Sequence, residues 1–190
     1  MASVDLCDSQ TSTALVAPVV RKAAMSDVHD LLKLINDYAA NGIMLPRTEF
    51  EMSENIRDFS VAHSGSHLVG CGALHFYSPT SAEIRSLAVD VALKGQGVGR
   101  RIVEQLEAEA IENGLHAVFA FTYVPRFFEK LGFHEIERGE LPLKVWKDCL
   151  RCAKFQCCDE IAMLKPLRPF PLLAISREPD NELIQLPVPK

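Results

Sequence analysis

The first twenty residues of this 190-residue chain contain no lysine or arginine, and no long apolar run follows them. A secretory signal needs a basic start and an apolar stretch, so export by that route is disfavoured. The longest apolar runs, such as ALVAPVV, are far too short to span a bilayer. An excess of positive charge is also lacking. The formal net charge is −5, which argues against bulk binding to nucleic acid or to an anionic membrane. Six cysteines without a secretory signal read as reduced thiols of a cytoplasmic protein. What remains is an ordinary soluble composition, 48% apolar and 24% charged, with length enough for one domain and a tail.

Residues 1–17 have no hydrophobic periodicity and read as a flexible leader. VVRKA (19–23) is a short strand. Ser26 and Asp27 precede a helix whose apolar positions are Val28, Leu31, Leu32, Ile35 and Tyr38, stopped by Gly42. A second short helix is expected over 49–57. Strands then accumulate: FSVAH (59–63) turns at Ser64-Gly65 into HLVGCGALHFY (67–77), and AEIRSLAV (82–89) follows. A helix with an apolar stripe at Val98, Ile102, Leu106 and Ala110 ends at Asn113-Gly114. AVFAFT (117–122) reads as a buried strand, and Pro125 opens a helix that stops at Gly132. A short strand HEIER, a helical segment over 142–153 and a last strand EIAMLK (160–165) complete a domain expected to span 18–166. Residues 167–190 form a Pro-rich tail. Antiparallel strands followed by a strand–helix–strand crossover predict an α/β fold: a mixed, mostly antiparallel sheet with helices on both faces.

The stretch VDVALKGQGVGRR (89–101) joins a strand to a helix through three glycines flanked by basic residues. It lacks the Gly-Lys-Ser/Thr ending of a P-loop. Against the dinucleotide pattern G-x-G-x-x-G, Gly95 and Gly97 fit, but Arg100 stands in place of the last glycine and Gly99 falls one position early. An acyl-coenzyme A loop fits better. Backbone N–H groups between Gly95 and Arg100 would converge on one concavity at a helix N-terminus, where the dipole favours an anion. Lys94, Arg100 and Arg101 are mildly unfavourable in such a place unless an anion faces them. The bland alternative is a tight strand–helix turn with solvated arginines.

SLAVDVALKGQGVGRRIVEQL resembles motif A of the GNAT acetyltransferase superfamily, with Lys94, Gly97 and Gly99 at the Arg/Gln-x-x-Gly-x-Gly/Ala positions. FFEKLGF (127–133) resembles motif B. VGCGALHFY, AEIRSLAVD and LPLKVW resemble more closely the acetyltransferase domain of N-acetylglutamate synthases, in particular the short single-domain kind. The resemblance implies acetyl-CoA as co-substrate, L-glutamate as acceptor through its α-amine, and the first step of arginine synthesis. The arginine-sensing kinase-like domain of the larger members does not fit in this length. By the same resemblance, the backbone of Leu87, Ala88 and Val89 pairs with the pantetheine arm and polarises the thioester carbonyl. The loop of Lys94, Gly95, Gln96, Gly97, Val98, Gly99 and Arg100 takes the pyrophosphate.

Acetyl transfer to an amine requires a base for the ammonium, a site for the oxyanion and an exit for the thiolate. Glu83 and Arg85 are two apart on a strand and share a face. Glu83 is the candidate base, and Arg85 can hold a substrate carboxylate in a bidentate pair. The alternative is a structural Glu–Arg pair. Glutamate has two carboxylates, so Arg47 and Lys144 are candidates for the second, with Arg21 behind them. Many family members carry a tyrosine as general acid where this chain has Phe128, which cannot donate a proton. Tyr123 is the nearest substitute in sequence. His75 is carried as a strand histidine that can face the substrate or serve structure. CLRCAKFQCC clusters Cys149, Cys152, Cys157 and Cys158, which reads as structural first, with metal binding or redox reactivity as alternatives. No metal is expected, and a homodimer is compatible with this reading.

Overall fold

In this computed structural model, residues 18–141, 150, 154 and 157–168 are described. The expected leader, the segment over 142–153 (apart from Leu150) with Lys144, Cys149 and Cys152, and the tail from 169 onward lie outside the described residues.

Seven strands form one sheet in the order β1-β2-β3-β4-β5-β7-β6. They are β1 (Val19–Lys22), β2 (Phe59–Ser64), β3 (His67–Phe76), β4 (Ser81–Val89), β5 (Ala117–Thr122), β6 (His134–Glu135) and β7 (Ile161–Pro166). Every pairing is antiparallel except β4 with β5. That one parallel pair follows from the crossover helix between the two strands, because a helical connection returns the chain in the same direction.

Helices cover both faces. α1 (Val28–Ala40) and α2 (Glu49–Glu54) lie on one side, where Leu31, Ile35 and Met52 pack with Phe59, Val61, Cys71 and Ala73. α3 (Val98–Glu112) and α4 (Pro125–Glu129) lie on the other, where Val98, Ile102, Leu106 and Phe128 pack with Ala62, Leu74, Ile84, Val118 and Met163. The period-2 alternation of the strands sorts these side chains between the two cores. α3 seats closely on β3 because Gly70 and Gly72 present no side chain. A Cβ at Gly72 would stand 2.8 Å from Ile102 Cγ2.

Several boundaries differ from the sequence reading, each for a local reason. α1 is entered through a 3-10 turn (Met25–Asp27), and Asp27 accepts from the Ala24 N–H at 2.8 Å while Arg21 grips both its oxygens. The second helix stops at Glu54 and yields to a 3-10 turn, Ile56–Asp58. α2 itself starts on a reciprocal Thr48–Glu51 cap. The strand expected over HEIER is only two residues long, although Ile136 N–H still reaches the Ala162 carbonyl.

β4 carries the least anticipated feature. Ser86 has φ +53°, and the register with β3 slips between Cys71 and Ala73. A bulge of this kind puts an extra residue in one strand and reverses which residues face which side. Glu83 and Arg85 therefore face the α1–α2 side with Ala73, and so does Ala88, whereas Leu87 and Val89 pack toward α3.

Candidate active site

β4 and β5 are paired only at Ser81–Ala117, Ala82–Val118 and Glu83–Phe119. Beyond that rung β4 runs six residues further, to Val89, and β5 three further, to Thr122, with no ladder between them. Backbone groups of β4 that point toward β5 in this stretch are available to a third, extended chain, much as a sheet edge is. The N-terminus of α3 stands at the Val89 end of β4. Gly99 meets Phe127 there: a Cβ on Gly99 would lie 3.3 Å from the Phe127 ring and 3.6 Å from Val89 Cγ2.

The glycine loop closes this end. A 3-10 turn (Val91–Leu93) is capped by Asp90, and Gly97 then enters α3 at φ +83°, a conformation costly for any residue with a Cβ. The first turn of α3 holds no acid and includes Arg100 and Arg101. Val98, Gly99 and Arg100 present first-turn N–H groups that have no partner within a helix. The Gln96 N–H is donated to the Leu93 carbonyl at 3.3 Å and its side-chain amide to the Ala92 carbonyl at 3.2 Å. Arg101 also turns aside, toward the Pro18 carbonyl at 3.4 Å. Lys94 stands with its ammonium 4.8 Å over the Tyr38 ring, and the Tyr38 hydroxyl donates to the Val89 carbonyl at 2.6 Å. Tyr38 thus ties the end of β4 and the start of the loop to α1. Nothing in the sequence pattern marked it beyond its place on the apolar stripe.

Glu83 is buried and lies on the last rung shared by β4 and β5. Tyr77 donates its hydroxyl to Glu83 Oε2 at 3.0 Å, and its ring centroid lies 5.8 Å from that of Phe119, the other half of the rung. His75, the β3 partner of Glu83, touches Tyr77 edge-on at 4.9 Å and bonds Asp58 through Nδ1 at 2.7 Å. The same Asp58 oxygen stands 3.8 Å from Arg85 Nη2. Glu83 and Arg85 share a face, as their spacing predicts. Asp58 and Tyr77 join them from a turn and a strand end, which sequence spacing alone could not bring together. Arg47 lies in the α1–α2 linker, which Asn36 holds through both the Arg47 N–H and carbonyl, at 2.9 and 3.0 Å.

Tyr123 follows β5 at the open end of the splay. Burial pushes its hydroxyl above the ordinary tyrosine value, although Lys154, 3.2 Å away, opposes the shift. It is a proton donor rather than a base at neutral pH. Phe128 is 3% exposed and packs edge-on between Phe127 and Phe133, so it belongs to the core. Cys71 is fully buried, and burial raises its thiol to about 12, which leaves it inert. Cys157 and Cys158 are free thiols. Among the described residues no group of three or more His, Cys, Asp or Glu side chains is placed to hold a metal, and no helix is long and apolar enough to cross a membrane.

The model of the acetyltransferase (GNAT) family matches residues 26–133, from the start of α1 to the end of the FFEKLGF segment. An uncharacterized N-acetyltransferase of Chlorobaculum tepidum is 43% identical over 148 residues, covering 78% of this chain and 96% of that protein. An amino-acid acetyltransferase of Mycobacterium tuberculosis is 37% identical over 137 residues, 70% of this chain and 78% of that protein. Among solved structures, Rv2747 from Mycobacterium tuberculosis, in complex with CoA, superposes with a TM-score of 0.70 at 34% identity, over 80% of this chain and all of that one. N-acetylglutamate synthase from Neisseria gonorrhoeae, complexed with coenzyme A and L-arginine, gives 0.68 at 25% identity over 80% of this chain and 34% of that one. The splayed strands, the glycine-entered helix and these matches agree: the chain belongs to the acetyltransferase (GNAT) family and is an acetyl-CoA-dependent N-acetyltransferase.

Proposed function

We propose that this enzyme acetylates the α-amine of a free acidic amino acid, L-glutamate first, and so stands at the entry to arginine synthesis in a cytoplasm. The observation that carries the reading is the position of Glu83. It sits on the rung where β4 and β5 part, the inner end of the opening along which an extended acyl-CoA arm would lie. Arg85 follows on the same face. The amino-acid acetyltransferase named among the relatives, and the sequence segments that resemble N-acetylglutamate synthases, support the acceptor class.

In this reading the first-turn amides of Val98, Gly99 and Arg100, with those of Gly95 and Gly97, hold the pyrophosphate beside the Arg100 guanidinium and the Lys94 ammonium. The backbone of Leu87, Ala88 and Val89 binds the pantetheine arm and polarises the thioester carbonyl. The Glu83 carboxylate takes a proton from the acceptor ammonium, directly or through one water. The freed amine attacks the thioester carbon, the C–S bond breaks, and the thiolate leaves. A thiol near the reference value of about 8.5 is a tolerable leaving group on its own, and Tyr123 is the candidate to protonate it. Arg85, Arg47 and Lys144 are assigned to the two acceptor carboxylates, with Lys144 outside the described residues. Holding both substrates in this alignment supplies much of the rate.

The test is incubation with acetyl-CoA and a panel of amino acids, with thiol release as readout. L-Glutamate is expected to turn over fastest, ahead of glutamine and other small amines. Glu83→Gln should lower kcat by about 100-fold or more, the usual scale for a lost general base. Tight acetyl-CoA binding with no turnover of any acidic amino acid would sink the reading. It would favour a non-catalytic acyl-CoA sensor, to which the burial of Phe128 in place of an acid lends its weight.

A further inference from the structure

The rung at which the sheet parts is held by a side chain that the reaction scheme above does not use. Tyr77 lies at the end of β3, where its N–H closes the turn onto the Ser81 carbonyl at 3.2 Å. From there it reaches both halves of the last β4–β5 rung. Its hydroxyl donates to Glu83 Oε2 at 3.0 Å, and its ring packs on Phe119 with centroids 5.8 Å apart. The ring is braced in turn by the edge of His75, which Asp58 fixes through Nδ1 at 2.7 Å. One side chain thus senses where the two strands separate and how the carboxylate between them is turned.

We infer that Tyr77 is a positioning residue for acetyl transfer: its hydroxyl occupies one oxygen of Glu83, aims the carboxylate at the acceptor amine and favours its ionised form. A carboxylate that accepts a hydrogen bond is stabilised as the anion, so removal of the donor raises the pH at which it becomes able to take a proton. Around Glu83 stand Tyr77, just after β3, His75, its β3 partner, Arg85 on its own strand and Asp58 from the turn before β2. On β5 its rung partner is Phe119, whose ring packs on Tyr77. Arg85 and Asp58 oppose one another in sign, and the Tyr77 hydroxyl contacts Glu83 directly.

This inference rests on Glu83 being the base, and the experiment separates the two. Tyr77→Phe keeps the ring on Phe119 and removes only the hydroxyl. Turnover with acetyl-CoA and L-glutamate, or the fastest acceptor of the panel, is measured across pH beside Glu83→Gln, with acetyl-CoA affinity by calorimetry as the check on folding. Tyr77→Phe is expected to lower kcat roughly tenfold, leave the acetyl-CoA Kd unchanged, and move the acid limb of kcat/KM up by about one pH unit. Tyr77→Leu, which also strips the ring, should shift the limb equally and melt earlier. An inactive Glu83→Gln beside a Tyr77→Phe whose limb stays at the wild-type pH overturns the inference alone. Full activity in Glu83→Gln overturns both.

Discussion

Two buried or half-buried carboxylates show how differently single residues are used here. Asp27 is a structural anion. Arg21 bonds both its oxygens, at 2.7 and 2.8 Å, and the Ala24 N–H bonds one of them. The Arg21 hydrogen bonds are the largest cause of its pKa lying below the ordinary carboxylate value, against a desolvation penalty that pushes the other way. The sign of the linkage follows. Because the folded value is depressed, this stabilisation is complete above the unfolded carboxylate value, about 3.9, and is lost as pH falls through the lower folded value. Asp27→Asn should therefore cost about 1–3 kcal/mol in urea unfolding at pH 7. The difference from wild type should shrink as the titration is carried below pH ~4. A gap that persists undiminished in acid would contradict it. Glu83, by contrast, lies on a sheet face beside a tyrosine donor and an arginine rather than within a cap. Its placement at the parting of two strands is what supports its proposed role as the base. The i, i+2 spacing of Glu83 and Arg85 was legible in the sequence because alternation is local. Their company was not, since Tyr77 comes from beyond the end of β3 and Asp58 from the turn before β2, in contacts that depend on sheet register.

At the scale of elements, α3 does most to build the site. Its start supplies amides to the opening, and its buried stripe of Val98, Ile102, Leu106 and Ala110 seats it on the sheet. The stripe was readable from 3.6-residue periodicity, whereas the left-handed conformation by which Gly97 enters the helix was seen only in the fold. The depth of the seat was not readable either. Gly70 and Gly72 look in the sequence like weak points of a strand. In the fold they are where the helix comes close, since a Cβ on Gly72 would meet Ile102, Leu106 and Leu87 side chains at 2.8–3.3 Å. Gly72→Ala is expected to lose about 1–3 kcal/mol by overpacking and to lower the melting temperature accordingly. A variant as stable as wild type would mean that α3 shifts freely on β3. The bulge at Ser86 was also hidden. Positive φ in a serine is not a propensity, and it accompanies the register shift across which Glu83 and Arg85 face one side while Leu87 and Val89 feed the other core.

The whole molecule is a sheet clothed on both faces, and its parts are joined by a few long-range polar ties. Lys22 reaches Glu109 at 2.8 Å and Lys165 reaches Glu107 at 2.6 Å, so both flanks of the sheet are fastened to α3. The parting of β4 and β5 leaves backbone groups without a ladder in the middle of this structure. A ligand that completes them should stabilise the entire fold by mass action. Free CoA at 100 times its Kd is expected to add about 2.7 kcal/mol and to raise the melting temperature by several degrees. An unchanged melting curve under saturating CoA would contradict the assignment of the opening as the coenzyme site.

Local pattern determined much of this protein before any coordinates. Helix stripes, strand alternation and the glycine junction depend on neighbours within a few residues, and they predicted the mixed sheet and its covering helices. The tertiary structure alone decided which strands separate, where the Gln96 N–H and the Arg101 guanidinium are bonded, and which distant side chains surround Glu83. Those outcomes turn on register, on a single bulge and on contacts between residues far apart in the chain, and no local spacing encodes them.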